Sequence, residues 1–193
     1  MFVALCLAAC SGEIENRTGA DASNNPNADA RVSGPDAQQN FGEPAALAGI
    51  TALHNQVRAT VGVGPMQWND SLAATAQAWA DACTDNDAPI GLIDHNPNRS
   101  DGHPWYVGEN VYGSSGTATP SGAVDAWAGE GQDYDYATNR CATGHICGHY
   151  TQIVWADSTQ LGCGISNCPG LQYGNSIVCD YGPGGNISGQ RPY

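Results

Sequence analysis

Residues Cys141–Ser158 read CATGHICGHYTQIVWADS and form the most informative stretch of the chain. Two histidines and two closely spaced cysteines stand there with an amphipathic run, a combination that chance rarely assembles. His145 and His149 are four residues apart, which on one continuous helix would make a metal-ligand pair. Because Cys147-Gly148 interrupts that spacing, the sequence favours a short helix or turn from His149 to Trp155 over such a pair.

Composition and charge bound what the rest of the chain can be. The 193 residues, 41% of them hydrophobic, have room for one domain of about 150 residues. The formal net charge is -13 with six Lys plus Arg, so the clustered cations that nucleic-acid binding requires are absent. Anionic membrane surfaces are disfavoured for the same reason. Eight cysteines indicate an oxidising compartment in which they can pair.

The N-terminus looks like an export signal. Met1 to Ala9, MFVALCLAA, is too short to span a bilayer, which takes about 20 residues, but it matches the apolar core of a signal peptide. Leu7 to Cys10 looks like a bacterial lipobox, so we predict a signal peptide over residues 1–10 with Cys10 lipidated. An ordinary signal peptide is the alternative. Residues 11–43 are rich in Asn, Asp, Ala, Gly and Ser and predict a disordered tether.

The remaining chain alternates between helical and strand patterns. Apolar residues at spacings of three and four predict a first helix from Leu47 to Val61, with His54 as a packing residue on it. Asn69 supplies a cap for a second helix. Pro120 opens a third helix, which is expected to include Glu130. Strands are predicted at residues 106–112, 160–166 and 175–180.

Three further segments accompany the quoted stretch. They are HNQVR at residues 54–58, GENVY at 108–112 and CDYGPGGNI at 179–187. Together these motifs resemble the CAP superfamily, named for the cysteine-rich secretory proteins, antigen 5 and the plant pathogenesis-related group 1 proteins, whose domain is also called the SCP domain. The plant branch is the nearest likeness. The resemblance covers residues 44–193 and implies an α+β fold, a three-layer α-β-α sandwich with a central antiparallel sheet.

The same resemblance implies a cleft formed by two histidines and two glutamates. Its residues are His95, Glu109, Glu130 and His149. Neutral imidazole binds zinc well, and a carboxylate can orient a ring nitrogen or act as a base. We therefore expect weak Zn2+ binding by His95 and His149, with solvent completing the coordination. The alternative is that the four groups hydrogen-bond to one another and brace the fold.

The expected function is that of an extracytoplasmic binding module. Its partner would be a lipid or sterol, a divalent metal or a cell-surface protein, and a metal-assisted hydrolase using the same cleft is the alternative. Trp105, in a Gly- and Pro-rich loop, is the tryptophan expected to contact a ligand, whereas Trp79, Trp127 and Trp155 are expected in the core. A lipid anchor would make the protein a bacterial cell-envelope lipoprotein; without that anchor it would be secreted.

The cysteine count agrees with a lipobox. If Cys6 is removed and Cys10 is acylated, six cysteines remain, and sequence alone leaves their pairing open. The resemblance implies three disulfides, Cys83 with Cys168, Cys141 with Cys147, and Cys163 with Cys179. The second would form a small loop that leaves His145 at the surface.

The C-terminal part departs from the plant-like motif at two positions. Asp180 stands where that motif has an amide or a basic residue, and Ser176 replaces an apolar strand residue. We expect neither to touch the four cleft residues. The last segment, Pro183 to Tyr193, resembles a peptide that some plant members release, and we expect it to dock back on the domain.

Overall fold

A four-stranded sheet forms the centre of the molecule. The computed structural model describes residues 42–87 and 90–193. In chain order the elements are α1 (Ile50–Thr60), β1 (Gln67–Trp68), α2 (Asp70–Ala82), β2 (Gly108–Ser114), α3 (Pro120–Gly129), β3 (Tyr134–Asp135), β4 (Arg140–Cys141), α4 (Gly148–Ile153), β5 (Gln160–Asn167) and β6 (Asn175–Gly182).

The strands of the central sheet lie in the order β1-β5-β6-β2. The three long strands are antiparallel, as predicted, because β6 pairs in opposite directions with both β5 and β2. The two-residue strand β1 adds a parallel pairing to β5 at the far edge. This order makes β2 the other edge strand of the sheet. A separate two-stranded ribbon pairs β3 with β4.

Helices cover both faces of the sheet, which confirms the predicted three-layer α-β-α sandwich. Helix α2 lies directly on β5, where a Cβ at Gly162 would stand 2.1 Å from Ala73 N and one at Gly164 would stand 2.3 Å from Gln77 Cα. The other face carries α1, α3 and α4 over a core that includes Trp127. Glycine on β5 is therefore what permits α2 to pack this closely.

The helix starts follow their capping residues. Asn69 Oδ1 accepts hydrogen bonds from the backbone N–H groups of Ser71 (2.9 Å) and Leu72 (3.0 Å), which confirms it as the cap of α2. Pro120 occupies the first turn of α3, as predicted, and Thr119 Oγ1 accepts from Gly122 N at 3.1 Å. Local side chains thus set where both helices begin.

Two residues lie outside the helices in which the sequence pattern places them. Leu47 belongs to a separate 3-10 helix, Ala45–Leu47, and α1 begins only at Ile50 after the left-handed Gly49 (φ 89). Glu130 is the C-cap of α3 and starts a second 3-10 helix, Glu130–Asp133. Both side chains keep roughly helical spacing, and for that reason the sequence pattern extends past the true ends of the helices.

The folded part begins before the predicted end of the tether. Glu43, predicted to lie in the disordered segment, is 4% exposed. Its Oε2 accepts from Gly49 N at 2.6 Å and its Oε1 accepts from Thr51 N at 2.8 Å, so it caps the start of α1. The predicted boundary at residue 43 is therefore wrong at its last residue, because a tertiary contact recruits Glu43.

Other N-terminal predictions fall outside the residues that the structure describes. These are the signal peptide, the lipidated Cys10 and the tether from residue 11 to residue 41. Within residues 42–87 and 90–193, none of the helices combines the length and the apolar character needed to cross a membrane.

Three disulfides join the pairs that the resemblance implies. Cys83 bonds to Cys168, Cys141 to Cys147, and Cys163 to Cys179. The first ties the end of α2 to the segment after β5, and the third joins cross-strand partners of β5 and β6.

The C-terminal segment packs on the domain, as predicted. The Tyr193 ring stacks on Tyr136 with ring centroids 4.5 Å apart. Arg191 Nη2 donates to Ala137 O at 2.8 Å, and Ala156 N donates to Pro192 O at 2.7 Å. The tail therefore closes over the β3–β4 ribbon.

Candidate functional site

His95 and Glu109 form the first pair of the predicted cleft. His95 lies in the segment between α2 and β2, and Glu109 is the second residue of β2. His95 Nδ1 lies 2.6 Å from Glu109 Oε1, and the same oxygen accepts from Asn96 N at 2.9 Å. The Glu109 side chain is fully buried while that of His95 is 57% exposed. The ring therefore has one edge on a buried carboxylate and the other toward solvent.

Asp180 is a second carboxyl beside Glu109. The two residues are direct cross-strand partners on β2 and β6, so their side chains lie on the same face of the sheet. Asp180 is completely buried. Burial, and after it the charge of Glu109, raises the pKa of Asp180 to about 9. The expectation that Asp180 stays away from the cleft residues is therefore wrong, because strand register places it against Glu109.

Ser176, the other departure from the motif, has a local role. It is fully buried on β6, and its hydroxyl donates to Tyr173 O at 3.2 Å. Its cross-strand partners are Gly113 on β2 and Ser166 on β5. No hydrogen bond in the described part of the chain links it to a cleft residue.

His149 and Glu130 form the second pair. His149 Nδ1 lies 2.6 Å from Glu130 Oε1. Glu130 Oε2 accepts from the backbone N–H groups of His149 (3.0 Å) and Tyr150 (3.2 Å), at the start of α4. The His149 ring stacks on Trp127, with centroids 6.2 Å apart and planes 23° apart. This side chain is 27% exposed, and its imidazole contacts both Glu130 and Trp127.

Strand β2 connects the two pairs. Glu109 belongs to the first pair, and the next residue, Asn110, donates from Nδ2 to His149 O at 3.1 Å. Because β2 lies at the edge of the sheet, no strand lies beyond it to separate the groups on its two faces. The four predicted residues thus form two glutamate–histidine pairs around one strand. Among residues 42–87 and 90–193, no group of three or more His, Cys, Asp or Glu side chains is arranged to hold a metal ion.

A buried polar chain supports the same end of β2. Asn110 Nδ2 also donates to the Tyr181 hydroxyl at 3.0 Å, and that hydroxyl lies 2.9 Å from His54 Nε2. His54 Nδ1 is 2.8 Å from Ile50 O, and burial lowers the pKa of this histidine to about 4. His54 is a packing residue, as the sequence predicts. Asn110 was missed as a site residue, although it stands beside Glu109 in the GENVY motif.

The remaining singled-out residues are not members of the two pairs, although one of them, Trp127, stacks on His149. His145 is at the surface, as predicted, with Nδ1 2.8 Å from Asp133 Oδ2. His103, in the segment between α2 and β2, is half-buried, and its Nε2 is 3.2 Å from Thr75 Oγ1. Trp127 and Trp155 are core residues and Trp79 packs against the core. Trp105 packs on Gly182, with its Nε1 buried and without a hydrogen-bond partner among the described residues.

Comparison with known proteins identifies the family. The family model for CAP, the cysteine-rich secretory protein family, matches residues 51–181. The chain belongs to this family. The match includes both histidine–glutamate pairs, the three disulfides and all of the central sheet except Gly182, the last residue of β6.

The CAP relatives include plant pathogenesis-related proteins. Pathogenesis-related leaf protein 4 of Solanum lycopersicum is 43% identical over 142 residues, which cover 74% of this chain and 80% of that protein. Pathogenesis-related protein 1 of Arabidopsis thaliana is 41% identical over 141 residues, covering 73% and 78%. The resemblance to the plant branch is therefore confirmed at the level of the family.

Solved CAP structures share the fold. Schistosoma mansoni venom allergen-like protein 4 superposes with a TM-score of 0.62 at 28% identity, covering 78% of this chain and 95% of that one. The crystal structure of NaASP2 with Zn2+ gives a TM-score of 0.57 at 23% identity, covering 78% and 88%. Three disulfides in a member of a secretory family indicate an extracytoplasmic protein.

Proposed function

We propose that this CAP protein is an extracytoplasmic binding module that holds a divalent cation, zinc, on the Nε2 atoms of His95 and His149. The observation that carries the proposal is the same in both pairs. Each imidazole has its Nδ1 2.6 Å from a glutamate oxygen. A histidine that donates one ring N–H to a carboxylate is oriented and made more basic at the other nitrogen, which is the usual arrangement of zinc-binding histidines.

The hydrogen-bond chemistry determines which ring nitrogen is available. An ionised carboxylate is only an acceptor, so the proton of each neutral ring lies on Nδ1. The lone pair then lies on Nε2. In His95 the ring is 57% exposed, and in His149 it is 27% exposed. Each neutral ring therefore offers its Nε2 lone pair as a ligand for zinc, a borderline-soft cation.

The charge of the chain favours the approach of a cation. The formal net charge is -13, and an acidic protein attracts divalent ions at low ionic strength. Only two histidines are on offer, so water completes the coordination and we expect modest affinity. The two glutamates serve to orient the rings.

The positions of the glutamates favour binding over hydrolysis. A metal-assisted hydrolase needs a free base near the metal-bound water. Glu130 already accepts three hydrogen bonds, and the second oxygen of Glu109 is buried. All six cysteines of the described residues are in disulfides, so these residues offer no thiol nucleophile. The metal-assisted hydrolase is the alternative function, and the experiment below distinguishes it from binding alone.

Calorimetric titration with zinc at neutral pH tests the proposal. We expect His95→Ala and His149→Ala each to weaken zinc binding by about tenfold or more. His145→Ala is the matched control, because His145 is also paired with a carboxylate and 54% exposed but lies outside the site. Absence of zinc uptake by the wild type, or zinc binding as tight as wild type in both cleft variants, would refute the metal site. Zinc-dependent turnover in a hydrolase screen, lost in both variants, would establish the enzyme instead.

The other expected partners belong to the same proposal. A lipid or sterol ligand or a cell-surface protein would use the surface around the metal, with Trp105 as the tryptophan expected to contact it. The lipidation of Cys10 would hold the module at a bacterial cell envelope. Intact mass of the membrane fraction and release of the protein by Cys10→Ser test the anchor independently of zinc.

A further inference from the structure

Glu109 and Asp180 present buried oxygens that lack hydrogen-bond donors. Glu109 Oε2, Asp180 Oδ1 and Asp180 Oδ2 have no partner among the described residues. Buried polar atoms are nearly always satisfied, because an unpaired one loses its hydration without compensation. Three such atoms on two adjacent side chains therefore call for one common explanation.

Strand register brings these oxygens together. Glu109 and Asp180 are cross-strand partners on β2 and β6, and on its other side Asp180 pairs with Gly162, which has no side chain. The neighbouring cation, Arg99, lies near enough to lower the pKa of Asp180. Each of its three guanidinium nitrogens donates elsewhere, however, to Val107 O (2.9 Å), Asn96 O (2.7 Å) and the Tyr106 hydroxyl (3.1 Å), and none donates to Asp180.

A single proton removes the charge repulsion and gives a partner to two of the three oxygens. Two ionised carboxylates cannot bond to each other, since each is only an acceptor, and two like charges in a buried site repel. If one carboxyl is protonated, its O–H donates to the other. The proton belongs on Asp180, because the ionised form of Glu109 is stabilised by donors from His95 Nδ1 and Asn96 N, whereas Asp180 has no donor.

We propose that Asp180 is a positioning residue, a neutral carboxylic acid whose O–H donates a hydrogen bond to Glu109 Oε2 and thereby holds Glu109 oriented toward His95. The raised pKa of Asp180, about 9, agrees with a neutral acid at physiological pH. The protonated carboxyl donates a hydrogen bond, as an amide at this position would. The amide cannot lose its donor as pH rises, whereas the carboxyl can. Its consequence for zinc rests on the proposed function; its effect on Glu109 and His95 does not.

Infrared spectroscopy of the metal-free protein tests the protonation directly. We expect the wild type minus D180N difference spectrum at neutral pH to contain the C=O stretch of a protonated carboxylic acid. A difference that contains carboxylate stretches in place of that band would show that Asp180 is ionised and would overturn the proposal. This measurement needs only D180N, which keeps the size of the side chain and supplies a donor.

Two matched substitutions at the same position test the positioning role. NMR of ring-labelled histidines in the metal-free protein should show His95 protonated on Nδ1 in the wild type and in D180N. D180L has the same branched heavy-atom skeleton but no donor, and we expect it to lose that single tautomer. His149 is the internal control and should be unchanged in all three proteins. Loss of the His95 tautomer in D180N, or its full retention in D180L, would refute the role; if D180L does not fold, the D180N result and the infrared band still decide.

Zinc titration of the same proteins separates this inference from the proposed function. We expect D180N to bind like the wild type and D180L to bind several-fold more weakly. A wild type that takes up no zinc refutes the metal site while leaving the infrared and tautomer results standing. Zinc binding by the wild type, together with an unchanged His95 in D180L, supports the metal site and refutes the role of Asp180.

Discussion

The two histidine–glutamate pairs share one hydrogen-bond length but are supported differently. Around Glu130, every donor other than His149 Nδ1 is a backbone N–H of His149 or Tyr150. Around Glu109, one oxygen is bonded to His95 and Asn96, and the other faces the buried Asp180. Backbone donors hold their protons at any working pH. A carboxyl donor does so only while it is protonated, so the two pairs should respond differently to pH and to mutation.

The pH dependence of stability is the strongest test of this difference. The pKa of Asp180 rises on folding from 3.8 to about 9. Between these values the folded chain keeps a proton that the unfolded chain loses, so this group makes stability fall as pH rises. D180N has no such proton. We expect its stability relative to wild type to grow by up to about 1.4 kcal/mol per pH unit.

Urea unfolding at several pH values between about 5 and 8 measures this slope. His149→Ala, at the pair without a buried acid, should show no comparable change in slope relative to wild type. A constant difference between D180N and wild type across this range would mean that Asp180 is ionised in the folded protein.

Removal of the two glutamates should have unequal effects on stability. Glu130→Ala deletes the acceptor of two backbone N–H groups and one imidazole, and we expect it to lower the free energy of unfolding by about 3 kcal/mol. Glu109→Ala should cost less, about 1 kcal/mol, because it also removes the desolvation cost of a carboxylate that is fully buried, whereas the Glu130 side chain is 17% exposed. Denaturant unfolding at neutral pH compares them, with Asp133→Ala at the surface as control. Equal losses would show that the two supports are equivalent.

Removal of the two imidazoles should give the smallest difference. The His149 ring stacks on Trp127 and is 27% exposed, whereas the His95 ring is 57% exposed. We expect His149→Ala to lower stability by about 1 kcal/mol and His95→Ala to change it by less than about 0.5 kcal/mol. Thermal unfolding of metal-free protein measures both. A larger loss for His95→Ala would reverse the assignment of the more firmly held ring.

Much of the fold is readable from the sequence because its signals are local. Asn69 and Pro120 mark helix starts through contacts within a turn, and strand-like runs separated by Gly and Pro mark the long strands near their true positions. The family motifs add the sandwich, the disulfide pairs and the four histidine and glutamate residues. Helix ends were less predictable, since Leu47 and Glu130 keep helical spacing while lying in 3-10 turns.

The sequence by itself determined the family, the layers and the four residues that form the two histidine–glutamate pairs. Only the tertiary structure decided that Glu43 caps α1, that Asn110 links the two pairs and that Asp180 faces Glu109. The physical reason is that strand register and burial arise from the packing of the whole sheet between its helices. No local pattern around Asp180 shows that a second carboxyl lies opposite it, and without that neighbour and its burial its protonation cannot be inferred.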